Sequence, residues 1–200
     1  MTKIAATFDT AAARKSMIDS QLRTSGVNEE FVLARMLAVP REDHLPEGKI
    51  ALAYIDRAVA LPEGGHLASP LFYGKLLIEA APMPDDRVLV LDGGSGYLPE
   101  LVKPLVASTE VVDAADFESD SVNGNSYSLV LIDGAIEQLP DTIAQLVEEN
   151  GRVVSGILLR EVTRLASGRK IAGKVALLPV EDLGIPVLKQ FDKPKNWSFS

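Results

Sequence analysis

The chain has 200 residues, 46% of them hydrophobic, with a formal net charge of -8 and an isoelectric point near 4.8. That length and apolar share suit one buried core, and a single domain is the expectation. The acidic balance, with no cluster of Lys and Arg, argues against nucleic acid and anionic membrane surfaces as partners, because phosphate contacts need concentrated positive charge. The absence of cysteine removes disulfides, thiolate nucleophiles and Cys-based zinc sites; His44 and His66 are the two imidazoles, and no metal site is expected. The segment MTKIAATFDTAAARKSM lacks the apolar run of a secretory signal, and no stretch approaches the roughly 18–20 apolar residues of a membrane span. A cytoplasmic location is the expectation.

From Asp9 to Ser25 the sequence is Ala-rich and of helical period, with Asp9 or Thr10 placed to cap it and Gly26 to stop it. Asn28 to Ala38 reads as a second helix, with Asn28 as cap and Val32, Leu33, Met36 and Leu37 as the apolar stripe before Pro40. Residues 40–66 carry no period and read as irregular. Ser69-Pro70 opens a third helix to about Ala80, with Ser as cap and Pro at the first helical position.

Arg87-Val-Leu-Val-Leu91 is a uniformly apolar run, as expected of a strand buried on both faces in a parallel sheet. It runs into Asp92-Gly-Gly-Ser-Gly96, and a helix from Tyr97 to Val106 is expected next, shortened or kinked by Pro104. Glu110-Val-Val112 is a short candidate strand before a polar loop. Ser128-Leu-Val-Leu-Ile132 is a second buried strand, ending in Asp133-Gly134. Pro140 to Glu149 reads as a helix stopped at Asn150-Gly151, and Arg152 to Ile157 as a strand. Glu161 to Ala166 and Lys174 to Leu178, joined across Ser167-Gly168, suggest a hairpin, and Asn196 to Ser200 alternate as an edge strand would. Strands alternating with helices and closing on a hairpin predict an α/β sheet that turns antiparallel at its end.

In open α/β sheets ligands bind beyond the carboxyl ends of the strands, and the Gly-rich turn after the first strand lets backbone approach them closely. Asp92, Gly93, Gly94, Ser95 and Gly96 stand at that place, with Tyr97 opening the helix. RVLVLDGGSGYLPELV resembles the first motif of AdoMet-dependent methyltransferases, and GSGY is the form typical of protein-L-isoaspartate O-methyltransferases. SMIDSQLRTSGV, VLARMLAVPRE, ALAYIDRAVALPEGG, SLVLIDGAIEQLP and GRVV agree with that family in the same order and span nearly the whole chain. The resemblance implies a Rossmann-like α/β methyltransferase sheet with an amino-terminal helical appendage, covering residues 1–66, and an antiparallel carboxy-terminal hairpin. It also implies S-adenosyl-L-methionine (AdoMet) as cofactor and isoaspartyl-containing proteins or peptides as substrates. Asp133, on the strand matched by SLVLID, joins the turn residues as a candidate for cofactor binding.

Three departures from the family pattern stand out. The acid expected before the turn falls on Val90 and the first Gly on Asp92; in a second register Asp92 is the acid, on the same strand face as Val90 and about 6.6 Å beyond it. Roughly one βα unit, about 30 residues, is missing before Ser128. If TEVVDA is the second strand, Asp113 grips the ribose hydroxyls; if it is the third, Asp116 falls near the adenine. At the methyl-acceptor segment, His66-Leu-Ala-Ser-Pro70 replaces a Thr-Ile-Ser-x-Pro pattern, placing His66 at the Thr and Ala68 at the Ser, with Ser69 one residue away. His66 and Ser69 are the catalytic candidates. Two further readings stand beside the isoaspartyl methyltransferase. One is a pseudoenzyme that keeps the fold as a binding or scaffolding module, with a second copy or a protein partner over the shortened sheet; the other is a methyltransferase of another small substrate.

Overall fold

The computed structural model describes residues 9–117 and 126–193; the expected edge strand at 196–200 lies outside the described residues. Asp9 caps α1 (Thr10–Met17) as predicted, its carboxylate accepting from the Ala12 N–H at 3.0 Å. The helical path then widens into a π turn over Ile18–Leu22, tightens over Arg23–Ser25 and stops at Gly26. Helix α2 (Glu30–Ala38) starts later than an Asn28 cap predicts: Glu29 holds the cap position, and its carboxylate accepts the Asn28 N–H. Val32, Leu33 and Met36 are buried, but Leu37 lies 52% exposed, so the apolar stripe is narrower than the sequence suggests.

Residues 40–66 form short 3-10 turns and a small ribbon of β1 (Val59–Ala60) and β2 (His66–Leu67). Two polar networks hold this turn-rich stretch. On its surface side, Arg14 donates to the Tyr54 hydroxyl at 2.7 Å and to Glu42 at 2.9 Å, while Tyr54 donates to Glu42. Deeper in, the Arg41 guanidinium is fully buried and donates to the carbonyls of Ala53 at 2.6 Å and Ala68 at 2.7 Å. It also lies over the rings of Tyr97 and Tyr73, 5.1 and 5.6 Å from their centroids. Helix α3 (Pro70–Ala80) begins with Pro70 at its first position and Ser69 as cap, as predicted, the Ser69 hydroxyl accepting from Phe72 N–H at 3.2 Å.

The sheet runs β4 (Ser108–Asp113), β3 (Arg87–Asp92), β5 (Tyr127–Ile136), β6 (Val147–Leu159), β7 (Val162–Ile171) and β8 (Lys174–Val175), with β9 (Leu178–Asp182) also paired to β7. The first four are mutually parallel and the rest antiparallel. Alternation along the central strands divides the core in two. Val88, Val90, Leu129 and Leu131 pack with the amino-terminal helices, α3 and α4 (Tyr97–Val102) on one face. Leu89, Leu91, Val130 and Ile132 pack with α5 (Asp141–Leu146) and the segment around Leu188 on the other. Burial on both faces is what the uniformly apolar runs predict. Strand β4 lies directly beside β3 in the register Asp92 to Asp113, the position of the second strand in a doubly wound sheet, and among the described residues no strand lies outside it.

Several boundaries differ from the sequence reading, each because pairing overrides local signals. Asp133 and Gly134 do not end β5, which continues to Ile136 against β6. The helix at 140–149 stops at Leu146: Val147 already pairs with Tyr127, and Asn150-Gly151 sits in β6 where the register shifts. Ser167-Gly168 is not a turn but the middle of β7; the turns fall at Arg160-Glu161 and Ala172-Gly173. Pro104 shortens α4 as expected, the chain passing into a 3-10 turn at Lys103–Leu105.

Arg41 ties the irregular segment to the start of α3, so its loss has a specific signature. Arg41→Ala leaves two buried carbonyls without donors and opens a void between two tyrosines, and is expected to cost roughly 3 kcal/mol or more in urea unfolding. Arg41→Lys should recover only part of this, since an ammonium cannot both span two carbonyls and stack. Equal stability of Arg41→Ala and wild type would contradict the assigned role.

Candidate functional site

A cleft of about 420 Å³ opens past the carboxyl ends of β3, β4 and β5, lined by residues 62–66, 92–94, 113–115 and 187–190. Its volume is in the range of small-molecule sites, and its place is where an open α/β sheet binds ligands. The sequence turn supplies one wall. The 62–66 loop lies over it, with the His66 N–H donating to the Gly93 carbonyl at 2.8 Å. A Cβ on Gly93 would lie 2.5 Å from the His66 ring, so only glycine lets these two segments meet.

Asp92 is the last residue of β3 rather than part of the turn, and is 6% exposed. Its Oδ2 accepts from the backbone N–H groups of both Gly94 and Gly96 at 2.9 Å. Its Oδ1 is buried without a hydrogen-bond partner. The protein's own carboxylate therefore occupies turn donors of the kind that hold ligand anions in other glycine turns. Behind it, Asp133 is fully buried. The Asp133 Oδ2 accepts from the Tyr73 hydroxyl at 3.0 Å, and that hydroxyl accepts from the Ala68 N–H at 3.0 Å. His66 Nε2 donates to the Asp133 carbonyl at 2.9 Å, with the Asp133 Oδ1 at 3.8 Å. A carbonyl cannot donate, so Nε2 carries the proton and Nδ1 of a neutral ring is an acceptor.

Of the residues singled out in the sequence, His66, Asp92, Gly93, Gly94 and Asp113 line the cleft together. Ser95, Gly96, Tyr97, Asp133 and Ser69 do not. Ser95 and Gly96 serve the turn itself, the Ser95 carbonyl taking a hydrogen bond from His44 Nδ1 at 2.8 Å. Tyr97 is buried against Tyr73 and His44. Ser69 is engaged as the helix cap, and Ala68 is fully buried. Asp113 accepts from Ala115 N–H at 2.8 Å through one oxygen, at the carboxyl end of the strand beside β3, where the second-strand reading places a ribose-binding acid. Asp116 lies in the turn that follows and is not part of the lining. Sequence reasoning missed Tyr73 and Arg41, whose roles come from tertiary contacts, and Lys189, which β5 brings in through pairing of Ala135 with the 186–188 segment. The Gly64-Gly65 pair beside His66 was the signal that could have extended the site to the covering loop.

A sequence model of the protein-L-isoaspartate(D-aspartate) O-methyltransferase family matches residues 12–123, more than half of the chain. The chain belongs to this family. Among similar proteins is the protein-L-isoaspartate O-methyltransferase of Methanoculleus marisnigri, 26% identical over 203 residues, spanning 89% of this chain and 92% of that protein. Another is that of Roseiflexus sp., 34% identical over 110 residues, spanning 54% and 50%. A crystal structure from Plasmodium falciparum, assigned to the same family and in complex with S-adenosyl-L-homocysteine (AdoHcy), superposes with a TM-score of 0.68 at 17% identity, covering 90% of this chain and 98% of that one. That likeness establishes the shared methyltransferase-type α/β fold.

Within this family fold, the buried charges explain the proton affinities. Burial, then repulsion from Asp133, raises the Asp92 carboxyl from an ordinary 3.8 to about 6, against the opposing pull of the Gly96 and Gly94 amides. For His66, burial pushes the imidazole down, but the hydrogen bond to Asp133 and the charges of Asp133 and Asp92 outweigh it and leave its affinity raised. The unfolded chain loses the Asp92 proton near pH 3.8 and the folded protein near 6, so the folded state binds the extra proton between these values. Stability therefore falls as pH rises through that window, and the cost of the buried anion persists above it. Asp92→Asn, which keeps an acceptor for the turn, is expected to stabilise the protein by roughly 1–3 kcal/mol near neutral pH, with the gain vanishing toward about pH 4. Thermal unfolding across pH checks this, and a gain independent of pH would contradict it.

Proposed function

We propose that this protein is an AdoMet-dependent carboxyl methyltransferase acting on isoaspartyl residues of proteins and peptides. Family membership supports the reaction class, and one observation supports a working site. The cleft at the strand ends joins the glycine turn, carboxylates from two adjacent strands and the covering loop in one place. Its residues fit most of the cofactor. Asp113 has an oxygen beyond the one bonded to Ala115 for a ribose diol, and the partnerless Oδ1 of Asp92 suits a cationic group.

When bound, AdoMet would supply a methyl group on a sulfonium, an electrophile that a carboxylate attacks without prior deprotonation. The chain's own work is then positioning and exclusion of water rather than acid–base chemistry. Asp92 and Asp113 hold the cofactor. His66 lines the cleft from the covering loop and meets the acceptor carboxylate as the imidazolium, through Nδ1–H, because its Nε2–H is held by the Asp133 carbonyl. Ser69 acts at one remove, fixing the loop by capping α3. Arg41 and Tyr73 anchor the same loop through Ala68, so replacement of the family's Ser by Ala68 leaves the backbone held by other means.

The test pairs binding with turnover. Calorimetric titration should show AdoMet bound in the micromolar range, and labelled methyl should pass to an isoaspartyl peptide but not to the same sequence with ordinary aspartate. Binding with transfer to neither peptide would point to another small acceptor. The absence of any binding by AdoMet and AdoHcy would overturn the enzyme reading in favour of a cofactor-free binding module.

A further inference from the structure

The amino acid end of AdoMet is a zwitterion: its ammonium needs acceptors and its carboxylate needs donors. The cleft offers these unequally. Two amides of the glycine turn, those of Gly94 in its wall and of Gly96 just behind, are consumed by the Asp92 carboxylate at 2.9 Å. The same carboxylate, 6% exposed, keeps its other oxygen without a hydrogen-bond partner. Glu63 and Asp113 add two more acids to the lining, and the fully buried Asp133 lies behind it. Against them stand Lys189, from the segment crossing the end of β5, and His66, whose Nε2–H is committed to the Asp133 carbonyl. Val90, at the family's usual acid position, is buried in the core and offers nothing to a ligand.

Resting on the cofactor reading above, we propose that this cleft selects adenosyl ligands by positive charge, with Asp92 standing where a ligand carboxylate would otherwise sit. The favoured class is a 5′-sulfonium adenosine whose aminoalkyl tail is cationic and needs no carboxylate. Two consequences follow. The site holds AdoMet, which carries a net positive charge, more tightly than AdoHcy, which has lost the sulfonium charge on giving up its methyl, so the product leaves readily. It also accepts the AdoMet analogue lacking the carboxylate at least as well as AdoMet itself. The raised proton affinity of Asp92 agrees with a carboxylate short of a cation.

Equilibrium binding at about pH 7.5 with four probes tests this: AdoMet, AdoHcy, decarboxylated AdoMet, and 5′-methylthioadenosine, which has neither charge nor tail. In the wild-type protein decarboxylated AdoMet should bind at least as tightly as AdoMet, and AdoMet about tenfold tighter than AdoHcy, as one well-placed charge interaction gives. Asp92→Asn, which keeps the turn's acceptor, should remove the preference for the decarboxylated analogue over AdoMet; Asp92→Gly, which frees the two amides for a ligand carboxylate, should reverse it. Equal affinity for AdoMet and AdoHcy in the wild type, or weaker binding of the decarboxylated analogue, overturns the proposal while leaving the cofactor reading intact. Failure of all four probes, methylthioadenosine included, overturns both.

Discussion

A buried carboxylate at the end of the first parallel strand of the sheet governs the site. Asp92 takes two backbone amides of the turn that follows, which fixes the path Gly94 to Gly96 and the start of α4. Taking a carboxylate out of water is costly unless it is paired, and the second oxygen has no partner. The protein bears that cost beside a second buried acid, Asp133, with the His66 imidazole between loop and strand as the nearest compensating group. Buried carboxylates with raised proton affinity cluster at functional sites.

The covering loop is held by groups that themselves avoid the cleft. Arg41 reaches the Ala68 carbonyl and Tyr73 the Ala68 amide, so both polar groups of one residue are satisfied. Tyr73 also bonds Asp133, which links the loop to β5 without passing through the ligand space. The position where the family carries a hydroxyl is therefore rigid in this chain, and chemistry that depends on placement of an already ionised acceptor can survive its loss.

Much of this was legible in the sequence wherever a signal is local. Asp9 and Ser69 announce helix starts because a short polar side chain there has one purpose, and RVLVL and SLVLI announce buried strands because only two covered faces tolerate such runs. The glycine turn, Asp92, Asp113 and His66, each singled out in the sequence, line one cleft in the structure. What the sequence hid depends on distant partners. Strand β5 runs on through Asp133 because β6 pairs with it and Leu188 packs where a side chain on Gly134 would stand, the nearest atom 2.6 Å from that point. Ser167-Gly168 looked like a turn, yet Ser167 bonds Glu79 of α3 and both residues pair in β7. Lys189 enters the cleft only because its segment joins the end of β5, and nothing near it in sequence announces a ligand site. Asp92 was read as an acid displaced one step along its strand; the geometry adds that one of its oxygens takes the amides of Gly94 and Gly96 while the other is buried without a partner.

The claim on which the account stands is that Asp92 is an ionisable, cation-poor carboxylate at the ligand site. Carbon-13 NMR of aspartate-labelled protein, with Asp92→Asn used to assign the resonance, measures it directly. A midpoint near 6 in the free protein, moving down on addition of AdoMet, is the predicted result. A midpoint near 3.8, unmoved by the ligand, would contradict the account.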